Sequence, residues 1–466
     1  MLDLFGKKAA EANKKIEALE KRIEKMEKQI RKLSKTEAPA AEKKAAPEKA
    51  ETTEKPKKSK KKNNKKAAKK SENLIKTIED TVARSGWTEE EAEAHIKLAR
   101  QKVGISYSDY RKYKFFIYPE DKMEEGMQKI EYKKNKRQNN RSRKQEKAIQ
   151  SVMAATGWDH DYTEKQILEA QARTGCTHTE YNIYRFYEKD QKAQDEVFVG
   201  QFSRKITAKY DVDKKFNDML YDKAVTNRYF KDYLARPWCV NTEVTLEEFK
   251  KVFENTNKIF YKPLGLNGGR GAAPFDINPD NIEAVYNEIK TYPEGVVEQY
   301  VVQHPKMSEL SPTAVNTVRI VTISSQKEPI KTNGKMMDIP YISLKMGGAK
   351  SIVDNLHGGG MVAAVDVKTG KLITDAVDGN GQPYATHPAT GTTIKGFEIP
   401  YFKEAVEMVT RAITEKKISG YLGWDIAITE NGPTLIEVNV IPGVILLTMP
   451  YQPEGKGMKP YMERYL

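Results

Sequence analysis

Cysteine is scarce: the 466-residue chain holds only Cys176 and Cys239. Two thiols exclude a disulfide scaffold and fit a reducing compartment, so a cytoplasmic location is the expectation. No apolar run is long enough for a transmembrane segment, and the N-terminus has no signal-type apolar stretch. From residue 36 to residue 70 the only apolar residues are Ala and Pro. Such a stretch cannot bury enough surface to fold, so residues 36–72 read as a disordered linker. Acidic residues are also sparse at this end. Residues 1–71 hold 24 Lys and Arg against 11 Asp and Glu, a surplus of 13 within a net charge of +14. The rest of the chain is therefore close to neutral. A body without a basic excess gives no reason to expect a specific nucleic-acid partner. The basic run 57–70 reads as a solvated spacer or as a weak membrane-surface contact.

What the sequence does contain begins with a seam. Leu2, Phe5, Ala9, Ala12, Ile16, Leu19, Ile23, Met26, Ile30 and Leu33 alternate in steps of three and four. That spacing predicts a coiled-coil helix over 1–35, with Ile at a and Leu or Met at d favouring a parallel homodimer through residues 2–33. Lys15 and Arg22 would face Glu20 and Glu27 of the partner strand. An amphipathic helix on an anionic membrane is the competing reading.

Residues 73–205 form an α-helical region with a repeat at an offset of 71, over about 79–120 and 150–190. Gly86-Trp87 matches Gly157-Trp158, and Ala99, Gly104, Tyr110, Tyr113 and Phe115 match Ala170, Gly175, Tyr181, Tyr184 and Phe186. Gly104 and Gly175 suit helix C-termini, and Ser106 and Thr177 suit the caps of the helices that follow. Each copy reads as a helical hairpin with an aromatic core face. Together the copies suggest a module that recognises a partner, removable without loss of ATP binding.

From about residue 206 strands and helices alternate, with turn signals at Asn333-Gly334, Thr369-Gly370 and Asp378 to Gly381, so most strands should be antiparallel. Asp425 lies in one apolar run, and Glu437 and Asn439 lie in the next, across the turn Glu430-Asn431-Gly432. That is a β-hairpin with Glu437 and Asn439 on one face. Three hard oxygen ligands on paired strands suit Mg²⁺, or Mn²⁺ as a substitute. Two surface acids are the plainer reading. As ligands alone, Asp425→Asn and Glu437→Gln should leave the unfolding midpoint unchanged. Upstream, the run Ile259 to Pro263 reads as a strand ending in Lys262, followed by Gly265, Gly268, Gly269 and Gly271. Glycines let backbone N–H groups approach an anion, and the lysine supplies a charge. A surface turn is the alternative.

The order strand-Lys-Pro, Gly-rich loop, Val297-Glu298-Gln299-Tyr300-Val301, then Asp and Glu-x-Asn resembles the ATP-grasp superfamily. Three further segments resemble its sugar-transfer-associated family: 304–322 with Asn316-Thr317-Val318-Arg319, 347–360 with Asp354-Asn355 and Gly358-Gly359-Gly360, and the Trp424-Asp425 hairpin. The resemblance covers about 222–442, with Lys345 standing where that family suggests Arg. It implies an α+β ATP-grasp fold, two α+β subdomains around ATP, over 206–466. It further implies that Lys223 and Lys262 bind ATP, with Lys262 at the α/β-phosphates, and that the glycine loop covers the γ-phosphate. Glu298, Gln299 and Val301 would line the adenine site, and Asp425, Glu437 and Asn439 would hold the metal. Arg319, a guanidinium out of place on the apolar run 318–323 unless it pairs with an anion, would act on the transferred group or an acceptor carboxylate, a structural salt bridge being the alternative. Lys345, Asn355 and His357 would line the acceptor pocket. The activity implied is an ATP- and Mg²⁺-dependent ligase or phosphotransferase acting on a small-molecule or polymer-linked acceptor, a precursor of a cell-surface polysaccharide. A non-catalytic ATP-binding scaffold is the alternative.

Overall fold

The computed structural model of the chain describes residues 59–210, 212–265, 271–349 and 354–466. The coiled-coil expectation therefore lies outside the described residues, as does the linker before residue 59. The first helix, α1 (Ser59–Ser85), covers residues whose composition reads as linker. Lys and Ala are both strong helix formers. The described chain divides into two compact units, at residues 128 and 129.

In the first unit α1 is followed by α2 (Glu89–Val103) and α3 (Tyr107–Lys112). Thr88 and Glu91 form a reciprocal capping box, and Gly104 ends α2 in the left-handed conformation. Ile96, Ala99, Tyr110 and Phe115 are fully buried, and His95 hydrogen-bonds the Tyr110 hydroxyl at 2.7 Å and the Tyr118 carbonyl at 2.9 Å. Of the three aromatic positions here, Tyr110 and Phe115 make a helix core, while Tyr113 is half-buried. The long helix α4 (Met123–Thr156) runs out of this unit into the second.

The second unit holds α5 (His160–Thr174) and α6 (His178–Ile183), built on the same pattern. Asp159 caps α5, Gly175 ends it in the left-handed conformation, and Thr177 with Glu180 forms the capping box of α6. Their apolar face belongs to a larger core. Ile149, Val152, Ile167, Tyr181, Tyr184 and Phe186 cluster with Leu356, Val362, Val377, Leu446 and Met449 from the C-terminal sheet region. The second hairpin is thus a wall of that body, a role the repeat itself does not reveal.

Two antiparallel sheets follow. The small one has the order β1 (Trp238–Val240), β4 (Gly295–Gln299), β2 (Lys258–Pro263), β3 (Ala273–Asp276). The helices Leu246–Val252 and Ile282–Lys290 cover it through Phe249, Phe253, Val285 and Ile289. The large one runs β11 (Gly432–Asn439), β10 (Gly420–Thr429), β5 (Thr317–Ser324), β6 (Met337–Met346), β7 (Met361–Val365), then β8 (Ala376–Asp378) and β9 (Pro383–Tyr384). A helix at Phe402–Glu415 packs Phe402, Ala405, Val409 and Ile413 against Val318, Ile320, Leu344 and Ile426 on one face. The opposite face carries Val321 and Ile323, against Phe198 and Ile206. With both faces covered, β5 is buried along its whole length. Among the described residues no helix is long and apolar enough to cross a membrane.

Phe186 is fully buried in the shared core. Phe186→Ala should lower the stability of the unit 129–466 by roughly 3–5 kcal/mol in urea denaturation. An unchanged midpoint would mean that the hairpin merely rests on the sheet.

Candidate active site

The register of the large sheet assembles a row of charges. Asp425 on β10 lies opposite Glu437 on β11 and opposite Arg319 on β5. Arg319 lies opposite Ser343 on β6, and Lys345 lies two residues further along β6, opposite Thr317. Directly opposed residues share a face, so these side chains line one side of the sheet. Arg319 donates through Nε and Nη2 to the two oxygens of Asp425, the Nη2 bond measuring 2.8 Å, and through Nη1 to the Pro442 carbonyl at 2.7 Å. Lys345 Nζ reaches Asp425 at 3.0 Å and Asp354 at 3.4 Å, and Asp354 also accepts from the Thr317 hydroxyl. Lys345 bridges the two carboxylates as a point charge, without the bidentate grip of a guanidinium.

Burial and charge pull these groups in different directions. Burial disfavours the Asp425 anion, but Arg319 and Lys345 outweigh it and hold the carboxyl well below the usual carboxylate range. Burial likewise disfavours the charged forms of Arg319 and Lys345. Asp425 reverses this for Arg319, and Asp425 with Asp354 reverses it for Lys345, so both stay cationic. Asp354 is pushed up by burial and by Asp425, with Lys345 opposing. Glu437 opens onto solvent at the cleft. Crowding by protein atoms and the nearby Asp425 raise its carboxyl, while Lys345, Arg319 and a 3.1 Å hydrogen bond from Asn439 pull the other way.

The small sheet supplies the facing wall. Lys262, at the end of β2, donates to Glu298 on β4 at 2.7 Å. The same carboxylate accepts from Arg236 at 3.0 Å and from Asn227 at 2.9 Å. Glu298 is only 4% exposed. Burial raises its carboxyl, but Arg236 and Lys262 prevail and bring it down to about 2. Glu298 thus orients Lys262 from below. Arg236 also donates to the Leu435 carbonyl on β11 at 2.7 Å, tying the two sheets together. Lys223, just after its cap residue Asp222, donates to the Pro263 carbonyl at 3.3 Å. Burial lowers its ammonium, and Glu437 opposes that.

Between the walls lies a cleft of about 560 Å³ lined by Lys223, Lys262, Glu298, Arg319, Lys345 and Asp354, with Asn355, Asp425, Glu437 and Asn439 also at its surface. The expected site residues therefore converge, with three qualifications. Gly268 and Gly269 lie outside the described residues, while Gly265 and Gly271 flank them with φ of +73°. That conformation favours glycine. Gln299 ends β4 and Val301 follows it, and neither lines the cleft. Nothing is described of the His357 side chain. Sequence reasoning missed Arg236, Asn227 and the pairing of Asp354 with Lys345. The only signal for the last was the charge of Asp354 beside Asn355.

Among the described residues no three His, Cys, Asp or Glu side chains form a metal-holding group. The hairpin's donor set is two carboxylates and one amide. The expectation of an unchanged midpoint for Asp425→Asn needs correcting, because Asp425 is 1% exposed and its oxygens hold Arg319 and Lys345.

Removing one partner of a buried pair leaves the other charge uncompensated. Asp425→Asn should therefore destabilise the protein by about 3–5 kcal/mol, while Glu437→Gln leaves the thermal midpoint within error. Equal midpoints for the two variants would contradict this burial. Glu298 gives a pH-dependent counterpart. Its folded pKa of about 2 lies below the usual 4.5. A depressed carboxyl stabilises the fold above its unfolded pKa, and that stability is lost as pH falls from about 4.5 through about 2. The displacement corresponds to stability on the order of 3 kcal/mol. Glu298→Gln should therefore flatten the fall in stability below pH 4.5, measured by denaturation at stepped pH.

Residues 280–463 match the model described as sugar-transfer associated ATP-grasp. No curated protein matches the chain. Among solved structures, it is similar to D-alanyl-alanine synthetase A from Vibrio cholerae at 17% identity, over 53% of this chain and 63% of that one, with a TM-score of 0.30. It is similar to the D-alanine-D-alanine ligase from Coxiella burnetii at 10% identity, over 55% and 58%, with a TM-score of 0.32. N5-carboxyaminoimidazole synthetase from Staphylococcus aureus, complexed with ADP, is similar at 12% identity, over 52% and 51%, with a TM-score of 0.32. The chain thus spans less than two thirds of each of these structures. The cleft residues Arg319, Lys345, Asp425 and Glu437 all lie inside the stretch 280–463 that matches the sugar-transfer associated ATP-grasp model.

Proposed function

We propose that the protein is an ATP- and Mg²⁺-dependent ligase or phosphotransferase that modifies a precursor of a cell-surface polysaccharide. One observation carries the reading: a single cleft has lysines on one wall, and on the other a carboxylate pair beside a buried Arg and a half-buried Lys. The donor set fits the implied groups. Mg²⁺ commonly takes one or two carboxylates and completes its shell with water and phosphate oxygens. Asp425, Glu437 and Asn439 are the residues that would hold it. ATP, when bound, supplies the phosphoryl group, and the metal neutralises charge on it.

The chain's own residues have three tasks. Lys262 and Lys223 offer positive charge to phosphate oxygens, and Glu298 keeps Lys262 aimed. Arg319 and Lys345, pinned by Asp425, give a fixed pair of cations for the transferred group or an acceptor carboxylate, with little reorganisation needed. Asn355 borders the same space. The acceptor class, a small or polymer-linked sugar-pathway molecule, draws its support from the family match.

Lys262→Ala should weaken ATP binding in calorimetry by on the order of 1.5–3 kcal/mol. The fold should persist, since Glu298 keeps Arg236 and Asn227 as partners. Unchanged affinity in a folded variant would sink the assignment.

A further inference from the structure

Helix α4 carries a feature that the cleft does not use. Its stretch 129–147 lies wholly in the second unit and holds nine Lys and Arg against two Glu. Eight of the nine are exposed, the ninth, Lys134, being partly covered. From 131 to 147 no residue of the helix is buried. At about 100° per residue, all nine basic positions fall within half of the helix circumference. Lys133, Arg137 and Lys144 lie within about 30° of its centre. Glu131, Asn135, Ser142 and Glu146 occupy the other half, and Tyr132, 66% exposed, sits near the edge of the basic face.

Like charges four residues apart destabilise a helix, and Lys129/Lys133, Lys133/Arg137, Arg137/Arg141 and Arg143/Lys147 are four such pairs. The rest of the chain beyond residue 71 offsets this excess almost to neutrality, so the charge is segregated on one face. We propose that residues 129–147 of α4 form a docking face for an anionic lipid bilayer, lying parallel to it over about 28 Å. One-sidedness and extent favour this partner. A plane of headgroups can meet a basic face half a circumference wide, because long Lys and Arg side chains reach down from its flanks. A single polyanionic strand would engage only the central row. The lack of an apolar stripe makes the contact electrostatic, without insertion.

The test is co-sedimentation of the full chain with phosphatidylcholine vesicles, with and without a quarter phosphatidylglycerol, at about 0.1 M salt. Binding should require phosphatidylglycerol. The triple variant Lys133→Gln, Arg137→Gln, Arg141→Gln should lower the partition coefficient about 100-fold, at about fivefold per charge near the surface. A control variant with the same loss of charge at the exposed Lys251, Lys335 and Lys403, each changed to Gln, should bind as the parent does. Equal binding by the two variants would overturn the proposal and move the contact to residues 1–71. It would also fall if the full chain ignored anionic vesicles while binding a duplex oligonucleotide at the same salt. ATP affinity does not enter the readout, so the outcome is independent of the function assigned to the cleft.

Discussion

The Arg319–Asp425 pair is the constraint to which the large sheet answers. Two charges buried at 6% and 1% exposure carry a desolvation penalty that only close, complete pairing offsets. Their partners must come from elements far apart in the chain. β5 has to sit beside β10, Pro442 has to turn back over Arg319, and β6 has to bring Lys345 alongside. Each neighbour in the order β11-β10-β5-β6 supplies one member of the row. A strand slipped by one residue would drive these charges into the apolar face formed by Val318, Ile320 and Leu344.

The second wall solves a similar problem differently. Glu298 is one buried carboxylate with three donors, and two of them, Arg236 and Lys262, are cations. The cleft is thus bordered on each side by an anion that immobilises cations, Asp425 for Arg319 and Lys345, and Glu298 for Lys262. Cations held this way present charge without having to give up rotamer freedom when a ligand arrives. That common design supports reading both walls as one anion-handling site.

Local patterns in the sequence carried the hairpin well. The Asn431-Gly432 turn, the position of Asp425 on one strand, and Glu437 and Asn439 two apart on the next all appear in β10 and β11. The caps at Thr177, Thr245 and Asp222 follow from residue types at fixed offsets. Partnerships across long separations were not legible. Arg319 and Asp425 are 106 residues apart, and a strand's alternation cannot say which charge lies across from it. Arg319 looked out of place on an apolar strand, and that oddity was the usable clue. The two helical repeats have matching internal patterns, yet the second joins the body's core through Leu356 and Leu446. Docking of that kind depends on surfaces elsewhere in the chain. Within 217–238 the helix breaks at Tyr221, where Asp222 caps a new helix, and Trp238 starts a strand.

Arg236 has a mechanical consequence. Its guanidinium grips Glu298 on the small sheet and the Leu435 carbonyl on the large one, so at that point the two sheets cannot separate without breaking charge-assisted bonds. The carboxylate it grips also holds Lys262, so a change at Arg236 would reach that lysine as well as the contact between the sheets.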